Sequence, residues 1–152
     1  MKAVLQRTER SSVEIDGIIK KECGEGLTIL LGIEKGDSEA DAEALAEKIS
    51  KMRIFPDENY KMNLSVIDIN GSVLIISNFT LCADYKRGNR PDYIGAAAPE
   101  PAERLYEYFV SLMRKKLEKV ETGKFGAMMK VEIINNGPVT IIADSKILLK
   151  NR

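Results

Sequence analysis

The chain has 152 residues, 44% of them hydrophobic and 30% charged, which suits one globular domain with a core of its own. Lysine plus arginine equals aspartate plus glutamate at 23 each, so the net charge is zero and nothing attracts the whole surface to nucleic acid. No apolar stretch approaches the roughly 20 residues that span a bilayer, and no signal peptide is recognisable. The composition therefore excludes a membrane-spanning protein and predicts a cytoplasmic one.

Histidine is absent from the sequence. This absence excludes the Ser-His-Asp and Cys-His nucleophile pairs and removes the commonest zinc ligand. The two cysteines, Cys23 and Cys82, are too few for a disulfide framework. Nothing in the sequence requires a metal or a cofactor, so we expect neither.

The first half of the chain predicts strands followed by one helix. Asp16-Gly17 between alternating apolar residues predicts a tight hairpin. The apolar run over 27–33 predicts a strand that is buried on both faces and central in its sheet. Helical spacing of apolar residues after a Ser38/Asp41 capping box predicts a helix. The predicted segments are strands 2–7, 12–20 and 27–33, a helix over 37–55 and a short strand over 64–67.

The second half begins with Asn70-Gly71, which predicts a hairpin turn before a strand over 72–81. A long loop rich in glycine and proline follows, and then an amphipathic helix. The predicted segments are the loop 84–98, the helix 99–119, strands 129–134 and 139–143, and a short strand or frayed end over 145–152. This order of elements predicts one α+β domain over residues 1–152, with mostly antiparallel sheets and two main helices packed on them.

Three polar side chains, Ser77, Asn78 and Thr80, lie beside Phe79 where the strand over 72–81 ends. Buried polar atoms without a partner cost about 1–3 kcal/mol each, so these groups either satisfy a turn or bind a ligand. Because no histidine can act as a base, Ser77 and Thr80 are better interpreted as hydrogen-bonding groups for a substrate than as nucleophiles. Cys82 would need a nearby cation to become a thiolate, and a small buried residue is the commoner role for such a cysteine.

Basic residues form a second candidate site in the long loop. Lys86, Arg87 and Arg90 lie between Tyr85 and Tyr93, and cations interleaved with aromatic residues suit phosphates and bases. A solvated surface loop explains the same residues equally well.

The Gly137-Pro138 step is the third candidate. The trans preference before proline is only about 0.5–1 kcal/mol, so this peptide bond can be cis. Glycine also permits close approach because it has no Cβ. Such a rigid backbone corner can sense the shape of a small group by steric exclusion, and it can equally be a turn between two strands.

Two of these segments make the chain resemble the D-aminoacyl-tRNA deacylases, also called D-tyrosyl-tRNA deacylases. The stretch Ser77-Asn78-Phe79-Thr80-Leu81 is similar to their Ser-Gln-x-Thr-Leu motif. The stretch Asn136-Gly137-Pro138-Val139-Thr140 is similar to their Asn-x-Gly-Pro-Val-Thr region. Further similar segments run through nearly the whole chain, at 1–12, 32–35, 53–55, 61–64, 87–91 and 122–125.

The resemblance implies a homodimer with a layered β/β/α architecture, in which a cis Gly137-Pro138 corner enters the partner's pocket and excludes L-amino acids. It implies hydrolysis of the ester of a tRNA that carries a D-amino acid, and of glycyl-tRNA mischarged on tRNA-Ala. Thr80 and Ser77 are then the candidate catalytic residues, in chemistry assisted by the terminal 2′-hydroxyl of the RNA and by backbone groups. The substrate-binding residues implied are Asn78, Phe79, Gly137, Pro138, Met129 and Phe125, and those implied for the tRNA acceptor end are Lys86, Arg87 and Arg90.

Asn78 departs from the family, which usually has glutamine at this position. Asparagine is one methylene shorter, so we expect rearranged contacts at residue 78 rather than lost function. Two other functions stay open beside the deacylase. The first is a non-catalytic nucleic-acid-binding module on the same scaffold, which a basic stripe in the sequence would favour. The second is an esterase for small acyl esters, which an identifiable base or metal set would favour. The balanced charge and the lack of such a set argue against both.

Overall fold

The structure, a computed structural model, describes residues 1–150. Within these residues no helix is both long enough and apolar enough to cross a membrane. The helices are α1 (Glu39–Ser50), α2 (Pro99–Arg114) and α3 (Ser145–Leu149), with a 3₁₀ turn at Phe79–Cys82. The strands are β1 (Lys2–Ile15), β2 (Ile19–Cys23), β3 (Gly26–Gly32), β4 (Phe55–Pro56), β5 (Met62–Leu64), β6 (Ser72–Ser77), β7 (Lys119–Thr122) and β8 (Met129–Asp144).

One six-stranded sheet organises the domain, in the order β2-β1-β3-β6-β7, with β8 paired to β1. β1 is antiparallel to β2, β3 and β8, whereas β6 is parallel to both β3 and β7. The sheet is therefore mixed, with antiparallel pairs on the β1 side and parallel pairs around β6. The predicted hairpin at Asp16-Gly17 and the central position of β3 are confirmed.

The two faces of β6 contribute to different hydrophobic cores. Val73 and Ile75 belong to the larger core, which includes the apolar faces of α1 and α2. Leu74 and Ile76 pack with Val13 at the far end of β1 in a second core. Because successive strand side chains point to opposite faces, this division places helices on one side of β6 and a second β layer on the other. Such packing explains why β6 is apolar on both faces.

Both predicted helices are too long. In α1, the Ser38 N–H donates to Asp41 Oδ2 at 2.9 Å, which caps the helix start as predicted, but the helix ends at Ser50 rather than 55. Phe55 is buried and pairs with Leu64 in a small hairpin. α2 ends at Arg114, and residues 119–122 form β7 instead, because their backbone pairs with the adjacent strand β6.

The segment before β6 also differs from the prediction. The predicted strand over 64–67 is wrong, because Ser65 donates from N and Oγ to Asp68 Oδ2, both at 2.7 Å, and closes a turn. Asn70-Gly71 consequently joins a turn to β6 rather than two strands of a hairpin. β6 itself ends at Ser77, because the chain then enters the 3₁₀ turn, so the predicted strand over 72–81 is four residues too long.

The last strand is continuous where two strands were predicted. β8 runs on either side of Gly137-Pro138 along the whole of β1, with register shifts opposite Gln6 to Arg10. Residues 145–149 are helical rather than extended, since Asp144 Oδ1 accepts a hydrogen bond from the Lys146 N–H at 2.9 Å and caps α3. The rest of the predicted final segment, 151–152, lies outside the described residues.

A buried polar network ties the start of β1 to α1 and α3. The α-amino group of Met1 donates to Asp37 Oδ1 at 2.7 Å and to Ser145 Oγ at 2.9 Å. The Ser145 hydroxyl in turn donates to Asp41 Oδ1 at 2.7 Å. Ser145 is fully buried and Asp41 is 7% exposed, so these groups have little access to water as an alternative partner.

Replacing Asp41 tests this network. Burial acts to raise the pKa of Asp41, but hydrogen bonds from Ser145 and Ser38 outweigh it and hold the pKa below its ordinary value. A carboxylate whose pKa is lowered on folding stabilises the fold above its unfolded pKa, and this contribution is lost as the pH falls through the folded pKa. Asp41→Asn should therefore lower the free energy of unfolding by about 1–3 kcal/mol at pH 7.

Urea denaturation of the variant and the wild type at pH 7 and pH 3 measures the effect, which should shrink at the lower pH. Glu9→Gln, at an exposed position of β1, is the control and should leave stability unchanged at both values. An equal loss at pH 7 and pH 3 would show that Asp41 acts through packing rather than through its charge.

Candidate active site

A cavity of about 620 Å³ opens where β6 ends, within the size range of small-molecule sites. Five segments enclose it: the end of β3 with Ile33, the end of β6 with the 3₁₀ turn, the loop before α2, the first turn of α2, and the segment that leads into β8. It brings together these predicted site residues: Ser77, Asn78, Phe79, Phe125 and Met129. The other lining residues are small, apolar or aromatic, and none carries a formal charge.

Asn78 directs the chain from β6 into the 3₁₀ turn. Its N–H donates to the Leu31 carbonyl at 2.8 Å and so extends the β3–β6 ladder by one residue. Its side-chain oxygen accepts from the Thr80 N–H at 3.2 Å and from the Thr80 hydroxyl. The amide of Asn78 thus caps the turn.

The two candidate catalytic hydroxyls have different surroundings. Ser77 is half-buried in the cavity wall, and its hydroxyl makes no side-chain hydrogen bond within residues 1–150. Thr80 is exposed beside the cavity, does not line it, and donates its hydroxyl proton to Asn78. No carboxylate, lysine or arginine lines the cavity to serve either hydroxyl as a base. The geometry therefore suits binding groups better than nucleophiles.

Cys82 is a buried residue of the 3₁₀ turn. Its thiol donates to the Ile33 carbonyl at 3.5 Å. Burial, together with the negative charge of Glu34, raises the pKa of the Cys82 thiol above its ordinary value. The thiol therefore stays protonated at neutral pH, as expected for a small buried residue rather than a nucleophile.

An aromatic pair stands at the mouth of the cavity. Phe79 and Tyr93 contact edge to face, with ring centroids 5.0 Å apart and an interplanar angle of 77°. Phe79 is 57% and Tyr93 39% exposed, so both rings remain accessible to a ligand. The sequence analysis placed Tyr93 in the basic loop and missed Ala96 and Ala97, which also line the cavity. The run of small residues after Tyr93 was the available signal, because alanines leave room for a ligand.

The predicted RNA-binding residues lie in a closed loop that leads to Tyr93. Asp84 and Asp92 exchange backbone hydrogen bonds of 2.9 Å in both directions and so pinch the loop at its base. Lys86, Arg87 and Arg90 are all exposed within it, and none of them lines the cavity. Within residues 1–150, Arg87 and Arg90 make no ion pair, so both guanidinium groups are available to a ligand.

The Gly137-Pro138 corner is exposed on β8, and its peptide bond is cis. Arg7 positions it from β1, because Arg7 Nε donates to the Asn136 carbonyl at 3.0 Å while Nη1 donates to the Ile54 carbonyl at 2.7 Å. Asn135 Oδ1 accepts from the Val139 N–H at 3.1 Å and closes the other side of the corner. Arg7 lies in the predicted first strand, over 2–7, but its contact with the corner was not predicted, since no local pattern connects residues so far apart in the chain.

The structure does not bring this corner to the cavity of the same chain. The corner lies beside Arg7, and the cavity opens at Ser77, three strands across the sheet and four residues along it. At about 4.8 Å per strand and 3.3 Å per residue, the two are roughly 20 Å apart. Gly137 and Pro138 therefore form a separate exposed feature in the isolated chain.

Comparison with known proteins identifies the fold and the family. The family model described as D-Tyr-tRNA(Tyr) deacylase matches residues 4–144. The chain is 53% identical over 146 residues to a D-aminoacyl-tRNA deacylase of Koribacter versatilis (strain Ellin345), covering 96% of this chain and 98% of that protein. It is 54% identical to a D-aminoacyl-tRNA deacylase of Bacillus cereus (strain G9842), covering 96% and 100%.

Two solved structures have the same architecture. The c-Myc DNA unwinding element binding protein is 40% identical, with a TM-score of 0.89 and coverage of 95% of this chain and 98% of that one. A probable eukaryotic D-amino acid tRNA deacylase is 16% identical, with a TM-score of 0.76 over 94% and 98%, and so shares the fold. A family match of this length, with relatives more than half identical, confirms what the two motifs predicted: the chain belongs to the D-aminoacyl-tRNA deacylase family.

Proposed function

We propose that this protein hydrolyses the ester bond of D-aminoacyl-tRNA in the cytoplasm, releasing a free D-amino acid and tRNA. The observation that carries the proposal is the uncharged cavity at the end of β6, where Ser77, Asn78 and Phe79 stand at the positions of the family motif. The names of the Koribacter and Bacillus relatives support the same activity.

The cavity acts by positioning rather than by acid–base chemistry. No histidine exists in the chain and no charged side chain lines the cavity, so the side chains there offer no general base. The terminal 2′-hydroxyl of the RNA lies next to the ester that it can assist. Holding the two groups in a reactive geometry lowers the barrier, and the Ser77 hydroxyl with nearby backbone N–H groups stabilises the charge that develops on the ester oxygen. The Thr80 hydroxyl, which donates to Asn78, supports the turn that carries Phe79.

Rejection of L-amino acids comes from the Gly137-Pro138 corner of a second copy of the chain. The corner is exposed, is fixed by Arg7, and lies too far from the cavity of its own chain to reach it. Within residues 1–150, β8, which carries the corner, pairs only with β1, so its other edge is open to a partner subunit, and its Ile142 is 76% exposed. In the homodimer, an L side chain would clash with the partner's corner.

Glycine has no side chain to clash with that corner. Glycyl esters therefore pass the same steric filter as D-aminoacyl esters, which makes glycyl-tRNA mischarged on tRNA-Ala a second substrate of the proposed site. The filter excludes by shape alone, since neither Gly137 nor Pro138 has a side chain that could form a hydrogen bond with the amino acid.

A second candidate function is non-catalytic binding of nucleic acid. The 40% identical neighbour named as a DNA unwinding element binding protein favours it, as do the exposed Arg87 and Arg90. The net charge of zero argues against it, because such a module needs a continuous basic surface.

Hydrolysis of D-tyrosyl-tRNA and L-tyrosyl-tRNA by the purified protein, side by side and without added metal, tests the proposal. We expect rapid loss of the D-ester, and loss of the L-ester only at its uncatalysed rate. Cleavage of both esters would show that the protein is an esterase but would overturn the proposed steric exclusion of L-amino acids. Cleavage of neither, with retained binding of tRNA, would favour the non-catalytic module.

Substitution of Gly137 tests the corner directly. Its φ of +133° is a conformation that L side chains rarely adopt. A Cβ at this position would lie 2.9 Å from Val139 Cγ2 and 3.0 Å from Arg7 Nη2, so the corner must move. Since a misplacement of about 1 Å can change a rate 100-fold, we expect Gly137→Ala to lower the ratio of D- to L-tyrosyl-tRNA hydrolysis by about 10- to 100-fold.

Gly36→Ala is the matched control, because Gly36 also has a positive φ, of +85°, but a Cβ there meets nothing within 4 Å. It should leave the ratio of the two rates unchanged. A Gly137→Ala protein with wild-type discrimination would remove the corner from the specificity mechanism.

Salt dependence of tRNA binding tests the basic loop. Each phosphate contact contributes about 0.7–0.9 to the slope of log affinity against log salt. Replacing both Arg87 and Arg90 with glutamine should weaken binding and lower that slope by about 1–2. Lys115→Gln, exposed just beyond α2, is the control and should leave the slope unchanged. An unaltered slope in the double variant would remove both arginines from the RNA interface.

A further inference from the structure

A second cavity, of about 660 Å³, lies next to the first, since residues 92–97 contribute to the linings of both. It is reached from the side of the basic loop, and its lining includes residues of that loop and of the strand ends beside it. Unlike the first cavity, it carries charges of both signs. Its lining includes two lysines, three carboxylates and two large exposed side chains: Lys2, Lys86, Glu34, Asp84, Asp92, Tyr85 and Ile94.

The two cavities share one wall. Tyr93 lines the first cavity, whereas its neighbours Asp92 and Ile94 line the second. The chain turns here, since the Ala96 N–H donates to the Tyr93 carbonyl at 3.0 Å, and the turn directs neighbouring side chains to different cavities. The same division occurs in the 3₁₀ turn, where Phe79 faces the first cavity and Cys82 the second. These two segments therefore separate the cavities, and the exposed Tyr93 and Ile94 leave the outer side of one of them open, so one chain-like ligand could occupy both cavities by passing over it.

The second cavity has the groups that a nucleotide needs. Tyr85 is 76% and Ile94 71% exposed, and nothing within residues 1–150 covers these two apolar side chains at the rim. An exposed tyrosine ring offers a stacking surface for any base. Lys86 is also highly exposed, and its ion pair with Asp84 at 3.7 Å is a weak surface contact that a phosphate can replace.

We propose that the second cavity binds the nucleotide that precedes the terminal one. This inference rests on the proposed function, in which the first cavity holds the terminal nucleotide and its ester. The base of the preceding nucleotide lies against Tyr85 and Ile94. The phosphate that joins the two nucleotides passes over the exposed segment between the cavities, within reach of Lys86. The enzyme thus reads two nucleotides of the single-stranded end rather than one.

Two minimal substrates distinguish the contributions of the two cavities to substrate binding. They are the D-tyrosyl ester of adenosine and the D-tyrosyl ester of the dinucleotide cytidylyl-adenosine. In the wild type, the second nucleotide should lower KM by about 5- to 100-fold, the size of one base-stacking contact. In Tyr85→Ala, the ratio of the two KM values should fall towards one. In Lys86→Gln, the dinucleotide ester should lose the salt dependence that its single phosphate confers.

Tyr60→Ala is the control, because Tyr60 is 92% exposed at the turn between β4 and β5 and lines neither cavity. It should retain the wild-type ratio. Equal KM values for the two esters in the wild type would overturn the second site while leaving the deacylase intact. An unchanged ratio in Tyr85→Ala would overturn it as well. Failure to cleave either ester or D-tyrosyl-tRNA would instead overturn the proposed function, and the second site with it.

Discussion

The fold depends on one strand that is covered on both faces. β6 packs against α1 and α2 through Val73 and Ile75, and against the second β layer through Leu74 and Ile76. A strand in this position can bear polar side chains only where it leaves the two cores, because a buried polar atom without a partner is costly. The polar groups of the chain's candidate site therefore occur at Ser77 and Asn78, where the strand ends.

The proposed site is divided between two regions with different physical tasks. The cavity at the end of β6 is uncharged and suits binding and orientation, whereas the Gly137-Pro138 corner is an exposed piece of backbone fixed by Arg7. Steric exclusion needs a rigid obstacle rather than a reactive group, so a backbone corner is well suited to it. Because the two regions are roughly 20 Å apart within one chain, the proposed selection against L-amino acids requires two chains.

Several local features were predictable because they depend on neighbouring residues. The turn at Asp16-Gly17, the capping interaction of Ser38 with Asp41, and the strand character of residues 72–76 follow from short-range stereochemistry and from hydrophobic pattern. The ends of the elements were less predictable. The helix predicted over 99–119 ends at Arg114, and residues 119–122 become β7, since the edge of β6 is available to pair with them.

The sequence by itself determined the absence of an imidazole base, the polar motif after β6, and the Gly-Pro step, because residue identity decides which chemical groups exist. Only the tertiary structure decided which of these groups meet. It placed Phe125 and Met129 in one cavity with Ser77, held Arg7 against the Gly137-Pro138 corner, and set Tyr93 beside Phe79 in the wall of that cavity. These contacts join residues that are distant along the chain. Sheet register and layer packing fix such contacts, and no local sequence pattern encodes either of them.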